Sequence, residues 1–192
     1  MKRRLAPREK ILRAARRLLV EHGHEKVSLR AVARRVGLAA SSLYEHFADR
    51  QAILEALALA AFDDLRREIA EACAANVSSD ERLANAAMAY LAFATTRQNE
   101  FLLCFSRTQP ADRTAPPTSS PLVPVVSEIS RALALGEYEA PLGFTALDMA
   151  ISLWTQMHGI AVLRHAYLSQ APDFEEKARC IIEVAIAAWR RR

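Results

Sequence analysis

The chain has 192 residues, 52% of them hydrophobic and 25% charged, which is enough for one large or two small domains with a real core and too apolar for a disordered polypeptide. Its formal charge of +4 is unevenly spread: residues 1–50 hold 13 Lys and Arg against 5 Asp and Glu, a net of +8, so residues 51–192 hold 13 against 17, a net of −4. A compact positive lobe suits a polyanion, because Lys and Arg that neutralise phosphates release condensed counterions, and the two parts should have different partners.

No stretch approaches the ~20 apolar residues of a membrane span, and Arg13, Arg16 and Arg17 interrupt the only run that could serve as a signal sequence. Cys73, Cys104 and Cys180 are odd in number and widely spaced, so neither a disulfide framework nor a zinc site is expected. They read as core-filling thiols in a reducing cytoplasm, with a redox sensor as the alternative.

After Pro7, Ile11, Ala15, Leu18, Leu19 and His22 recur at helical spacing, and Gly23 stops this first helix. Ser28 can cap a second short helix with Leu29, Val32, Ala33 and Val36 on its apolar side. Gly37 ends it with the left-handed conformation that a tight turn wants, and Leu38 is expected to pack inward. A third helix at about 40–45 is short, with Leu43 and Phe47 four apart as its anchors. Three helices in under 50 residues, the last two joined by a tight turn, make a helix-turn-helix unit.

Asp49 can cap a long fourth helix to about residue 74, with Ile53, Leu54, Leu57, Ala61, Leu65 and Ile69 as its buried stripe. Ser78 to Glu81 is a capping box that opens a fifth helix, and a shorter one follows around Phe101 to Phe105. Residues 109–124, with five prolines, are expected to form a surface loop before helicity resumes near 123–134. Thr145 with Asp148 can cap a helix at 146–168, and Asp173 with Glu176 a last one at 174–190. The expected fold is all-α, about nine helices, with a head at 1–48 and a second domain at 49–192 whose first part, 49–75, is a connecting helix.

The run Ile11, Ala15, Leu18, Gly23, Val27-Ser28, Ala31-Val32-Ala33, Gly37, Leu43-Tyr44, His46-Phe47, Ile53-Leu54 resembles the DNA-binding domain of TetR/AcrR-type transcriptional regulators. Trp154 to Gly159 is similar to the Trp-x-x-x-His-Gly signature of one C-terminal subgroup. The resemblance implies a homodimer with a helix-turn-helix head and a variable ligand-binding domain. It further implies that Tyr44 and His46 reach phosphates or groove edges, that Ser28 and Arg30 hold the backbone, and that Arg50 takes the place of a phosphate-binding Lys. Ala39 departs from the family's usual capping Ser. Ala40, Ser41 and Ser42 are small enough for close approach to a major groove about 12 Å wide but offer few base-reading donors. Tyr44 packed between helices and His46 bonded to a carbonyl are the plain alternatives. Lys2, Arg3 and Arg4 could form an arm along a minor groove or be solvated charges, the plain reading of Arg34 and Arg35 too.

Tyr90, Phe93, Phe101, Leu102, Phe105, Trp154, Met157 and His158 are the candidates for an effector pocket, and each could equally be core. With no charged residue among them, an apolar or aromatic effector is expected. Ile151, Ile160, Leu163, Tyr167, Ile181, Ile182, Val184, Ala185, Ile186 and Trp189 give helices 146–168 and 174–190 more apolar surface than one core needs, which suits a homodimer. No phosphate loop, zinc-ligand spacing or nucleophile elbow appears, so neither an enzyme nor a cofactor or metal is expected. The reading is a ligand-released repressor bound to double-stranded operator DNA. An architectural DNA-binding protein without an effector is the competing one.

Overall fold

The computed structural model describes residues 6–105, 120–166 and 172–191. Among them are nine α-helices: α1 (Pro7–His22), α2 (Leu29–Val36), α3 (Ala40–Tyr44), α4 (Arg50–Cys73), α5 (Ser79–Thr96), α6 (Gln98–Phe105), α7 (Leu122–Ala134), α8 (Ala146–Ala166) and α9 (Phe174–Ala187). A 3-10 turn, His24–Lys26, follows α1, and the described residues hold no strand beyond an isolated bridge between Tyr138 and Arg190. The chain is all-α, as expected. Its helices gather into two compact units, residues 6–62 with 97–105, and residues 63–96 with the described residues from 120 onward.

In the first unit, Ile11, Leu19, Val27, Val32, Leu43, Ile53 and Leu54 are completely buried, and Leu103 of α6 joins the same core. The sequence sets the helix ends through specific atoms. Ser28 Oγ accepts the Ala31 amide at 3.2 Å and Asp49 Oδ1 accepts the Ala52 amide at 2.8 Å, satisfying amides that the first turn would leave open. Gly37 ends α2 at φ 71°, ψ 31°, and the Leu38 amide then bonds Ala33 O at 3.0 Å, turning the chain into α3. Leu38 itself is 43% exposed, contrary to the inward packing expected of it: the turn that buries Leu43 leaves Leu38 outside.

Glu100 is buried in this unit between two arginines. Arg16 Nε donates to its Oε1 at 2.7 Å and Arg97 Nε to its Oε2 at 2.7 Å, while Asn99 Nδ2 donates to Val20 O at 3.0 Å. A buried carboxylate is tolerated only when its charge and lone pairs are met, so these bonds fix α6 against α1.

In the second unit, the reciprocal Ser78–Glu81 and Thr145–Asp148 bonds form as the sequence indicated. Leu83, Ala87, Tyr90, Leu91 and Ala94 of α5 are buried, as are Met149, Leu153 and Met157 of α8 and Ile182 and Ile186 of α9. A second buried carboxylate, Glu128, is paired with Arg131 at 2.7 Å and Arg82 at 3.4 Å. Burial alone would raise its pKa, but bonds from Arg131 and Ser79 and the charges of Arg131 and Arg82 outweigh it and hold the carboxyl below its ordinary value.

Three expectations for this unit need correction. Asp173 does not cap α9: it lies at φ 57°, a left-handed conformation, and its side chain makes no capping bond. Pro124 falls in the first turn of α7, where a missing amide hydrogen costs nothing, so helicity starts earlier than the proline content suggested. Ile182, Ile186 and Trp189 are buried within their own chain and so are not surplus surface. Tyr167, most of the 109–124 loop and the Lys2, Arg3 and Arg4 arm lie outside the described residues.

A Cβ at Gly37 would meet nothing within 4 Å, so replacing it tests backbone conformation alone. Gly37→Ala should destabilise the head by about 1 kcal/mol, and Gly37→Asn by less, since Asn tolerates the left-handed region. Denaturant unfolding of the two variants checks this, and equal stability of Gly and Ala would contradict it.

Candidate nucleic-acid interface and interior polar cluster

Residues 37–47 present a surface whose shape is set from behind. Leu43 and Phe47 are buried in the head core, and Ala40 packs partly against it, so α3 is held by its inner face. Tyr44 is 60% exposed, which removes the reading of a ring packed between helices. Ser41 is exposed, while Ser42 and His46 are half-buried. The His46 ring has no partner among the described residues, so both of its nitrogens are left for an outside group. Ala39, at the N-cap of α3, makes no side-chain cap, as its departure from a hydroxyl residue implied.

At the start of α2, Ser28 uses an oxygen lone pair on the Ala31 amide and keeps its hydroxyl hydrogen for donation. Arg30 is exposed beside it. Arg50, expected at a phosphate, also has partners inside the head: its Nε donates to Val27 O at 2.7 Å and an Nη to His24 O at 2.8 Å. The guanidinium therefore clamps the 24–27 turn to the start of α4, with its charge retained and part of its fork already committed. Sequence reading had no signal for this, because the acceptors are backbone carbonyls.

Other cations of the head are also spoken for. Arg35 pairs with Glu21 at 2.6 Å, a bond that holds the Glu21 carboxyl below its ordinary value, and Arg16 pairs with Glu100. Arg8 is exposed and lies over the Phe47 ring, its Cζ 4.9 Å from the centroid.

The eight pocket candidates divide between the units. Phe101 and Phe105 belong with the head and meet with ring centroids 5.0 Å apart and planes tilted by 56°, with Phe105 edge-on to Phe62 at 5.6 Å, while Leu102 is exposed. Tyr90, Phe93, Trp154, Met157 and His158 belong to the second unit, and three of them converge on one oxygen. Trp154 Nε1 donates to the Tyr90 hydroxyl at 3.2 Å, and that hydroxyl lies 2.8 Å from His158 Nδ1. An indole N–H can only donate, so the order that leaves no hydrogen idle runs from Trp154 to Tyr90 to His158, with the imidazole hydrogen on Nε2. The four-residue spacing of Trp154 and His158 thus serves a single partner on α5. Phe93 and Met157, three residues from Tyr90 and one from His158 in sequence, are buried.

The cysteines separate by environment. Burial pushes the Cys73 thiol up to about 11 and the Cys104 thiol up to about 12, so neither forms a thiolate near neutrality. Cys180 is exposed on α9. Among the described residues no group of three or more His, Cys, Asp or Glu could hold a metal ion, and no helix is long and apolar enough to cross a membrane.

Comparison with known proteins places this geometry. Residues 11–57 match the model of bacterial regulatory proteins of the tetR family, and residues 83–187 match that of the tetracyclin repressor-like C-terminal domain. An HTH-type transcriptional regulator of Mycobacterium tuberculosis is 32% identical over 132 residues, covering 66% of this chain and 56% of the relative, and one from Mycobacterium bovis matches equally. The chain thus aligns with little more than half the length of these curated relatives. A Rhodococcus protein of unknown function has the same fold, with a TM-score of 0.84 at 25% identity over 99% of this chain and 98% of that one. The Bacillus subtilis regulator FadR, solved with stearoyl-CoA, shares the fold at a TM-score of 0.72 and 14% identity, over 93% of this chain and 97% of that one.

Burial lowers the His158 pKa below its ordinary value of 6.5, so the folded protein takes up this proton less readily than the unfolded chain. Stability is then unaffected above that value and falls as pH drops through it, because only the unfolded state gains the proton. The thermal midpoint should decline between pH 7 and pH 5, and His158→Asn should show a shallower decline. Parallel curves for the two proteins would contradict the shift.

Proposed function

The chain belongs to the tetR family of bacterial regulatory proteins and carries that family's DNA-binding helix-turn-helix head, and on that premise we propose that it is a homodimeric repressor released from its operator by a small apolar or aromatic effector. The observation that supports DNA contact most directly is the outer face of α3. Tyr44 stands in solvent and the His46 ring has no partner among the described residues, while Leu43 and Phe47 hold the helix in place. An exposed phenol and a half-buried imidazole at the outer side of the helix are groups a groove can use. Ser28, Arg30, Ser41 and Ser42 extend the same surface, with Ala40 as the small residue that permits close approach; Arg50 acts here chiefly by fixing the turn behind it.

The effector is proposed to bind by the Tyr90–Trp154–His158 cluster, with Phe93 and Met157 as apolar wall. Their chemistry offers a largely apolar lining with one hydrogen-bonded group that can be reordered. Reordering that cluster would bias two arrangements of the protein, which is what a switch requires. Phe101, Leu102 and Phe105 are given no direct part in this proposal.

Dimerisation is proposed through α8 and α9. Leu147, Ile151, Val162 and Leu163 of α8 and Ile181 and Val184 of α9 are exposed, and Val184 is 68% exposed. Gln156, Lys177, Cys180, Ile181, Val184 and Ala185 line an open, almost wholly apolar groove on this face. Apolar surface of that kind on two adjacent helices costs solubility unless a second copy covers it.

Selection of bound fragments from genomic DNA tests the regulatory reading: enrichment of a two-fold symmetric site with half-sites about one helical turn apart supports it, and random recovery opposes it. Val184→Glu should shift a sedimenting dimer to monomer and weaken operator binding at least tenfold, because paired half-sites are then lost. A variant that stays dimeric would count against this interface.

A further inference from the structure

Arg8 is a cation of the head that neither the sequence pattern nor the helix-turn-helix geometry assigns to DNA. It sits at the start of α1, well before the helix that meets the duplex, yet its guanidinium carbon lies 4.9 Å from the centre of the Phe47 ring. Phe47 directly follows His46 and comes three residues after Tyr44. The ring that Arg8 covers therefore belongs to the same short segment as both groups. Arg8 is exposed while Phe47 is 4% exposed, so the guanidinium forms the outer cover of the ring at the protein surface.

Three other arginines of the head are engaged within the protein. Arg16 is neutralised by Glu100 and Arg35 by Glu21, and Arg50 has spent Nε and an Nη on the carbonyls of Val27 and His24. Arg8 has no carboxylate partner among the described residues. A guanidinium stacked on an aromatic face keeps its five N–H groups, which lie in its plane and point past the ring edge. It also gives up less rotamer freedom on binding than an unsupported side chain does.

We propose that Arg8 is a phosphate-contacting residue: stacked on Phe47, it clamps the DNA backbone beside the groove that α3 enters. This rests on the DNA-binding reading above. The stacking would position the fork for a bidentate grip on one phosphate. It would fix register without reading sequence.

The test is the salt dependence of binding of the full chain to a random-sequence duplex of about 30 base pairs, followed by fluorescence polarisation, since non-specific affinity is almost wholly electrostatic. Arg8→Met keeps a flexible apolar stem over Phe47 and removes only the charge, and Arg8→Lys keeps the charge. The expected result is that the methionine variant has a slope of log K against log salt shallower than wild type by about 0.9, so that it loses about 3.5-fold less affinity between ~50 and ~200 mM salt. The lysine variant should retain the wild-type slope. Parallel slopes for wild type and the methionine variant, with matching circular dichroism and thermal midpoints, would overturn the proposal and leave Arg8 as a cover for Phe47. Wild-type binding without salt dependence would instead overturn the DNA-binding reading itself.

Discussion

A helix of five residues cannot hold its shape in water, because the cost of ordering its first turn is not recovered over so short a length. The candidate recognition helix α3 is such a helix, and the head is built to hold it. Leu43 and Phe47 anchor its inner face, Gly37 aims it, and Arg8 covers the last anchor from outside. Every group that faces outward, Tyr44 and His46 above all, depends on those few contacts for its position. The small leading edge at Ala39, Ala40 and Ser41 follows from the same constraint. Larger residues would offer more to read bases with but would hold the backbone away from the groove.

The first unit extends beyond the segment that reads as helix-turn-helix. Leu103 enters its core, and the buried Glu100 carboxylate accepts from Arg16 of α1 and Arg97 at the start of α6. Breaking such an arrangement leaves a charge without its partner in a poorly hydrated place, so α6 and α1 are expected to move together or not at all. The Arg50 clamp ties the 24–27 turn to the start of α4 in the same way.

Local chemistry was the legible part of the sequence. Ser28, Asp49, Ser78 with Glu81 and Thr145 with Asp148 cap their helices as their spacing indicated, and the apolar stripe of α4 is buried at each of its expected positions. Such features depend on residues three or four apart, and the chain shows them directly. Asp173 is the exception, since a left-handed backbone there takes its side chain out of reach of the amides. What the sequence could not show is choice of distant partner. Glu100 reads as one more solvated acid until Arg16, 84 positions away, is brought to it. Trp154 and His158 were recognisable as sharing a face, but not as sharing the hydroxyl of Tyr90. Arg50 carries the charge its type implies, but its bonds to the carbonyls of Val27 and His24 have no signal in the chain.

The charge of the head shows how composition can overstate an interface. A net of +8 over the first 50 residues suggests a uniformly attractive surface, yet Arg16 and Arg35 carry their own counter-charges. What attracts DNA at short range is the set of cations left uncompensated and held in place, and these two properties are distinct. Arg30 is exposed, with no ion pair among the described residues; Arg50 is held, with part of its fork already engaged. Arg8 combines a seat on an aromatic ring with the lack of a carboxylate partner among the described residues, because a ring can restrain a guanidinium without consuming its hydrogens. An aromatic anchor at the end of a recognition helix can therefore do two things at once, filling the core with one part of its ring and presenting a cation with the other.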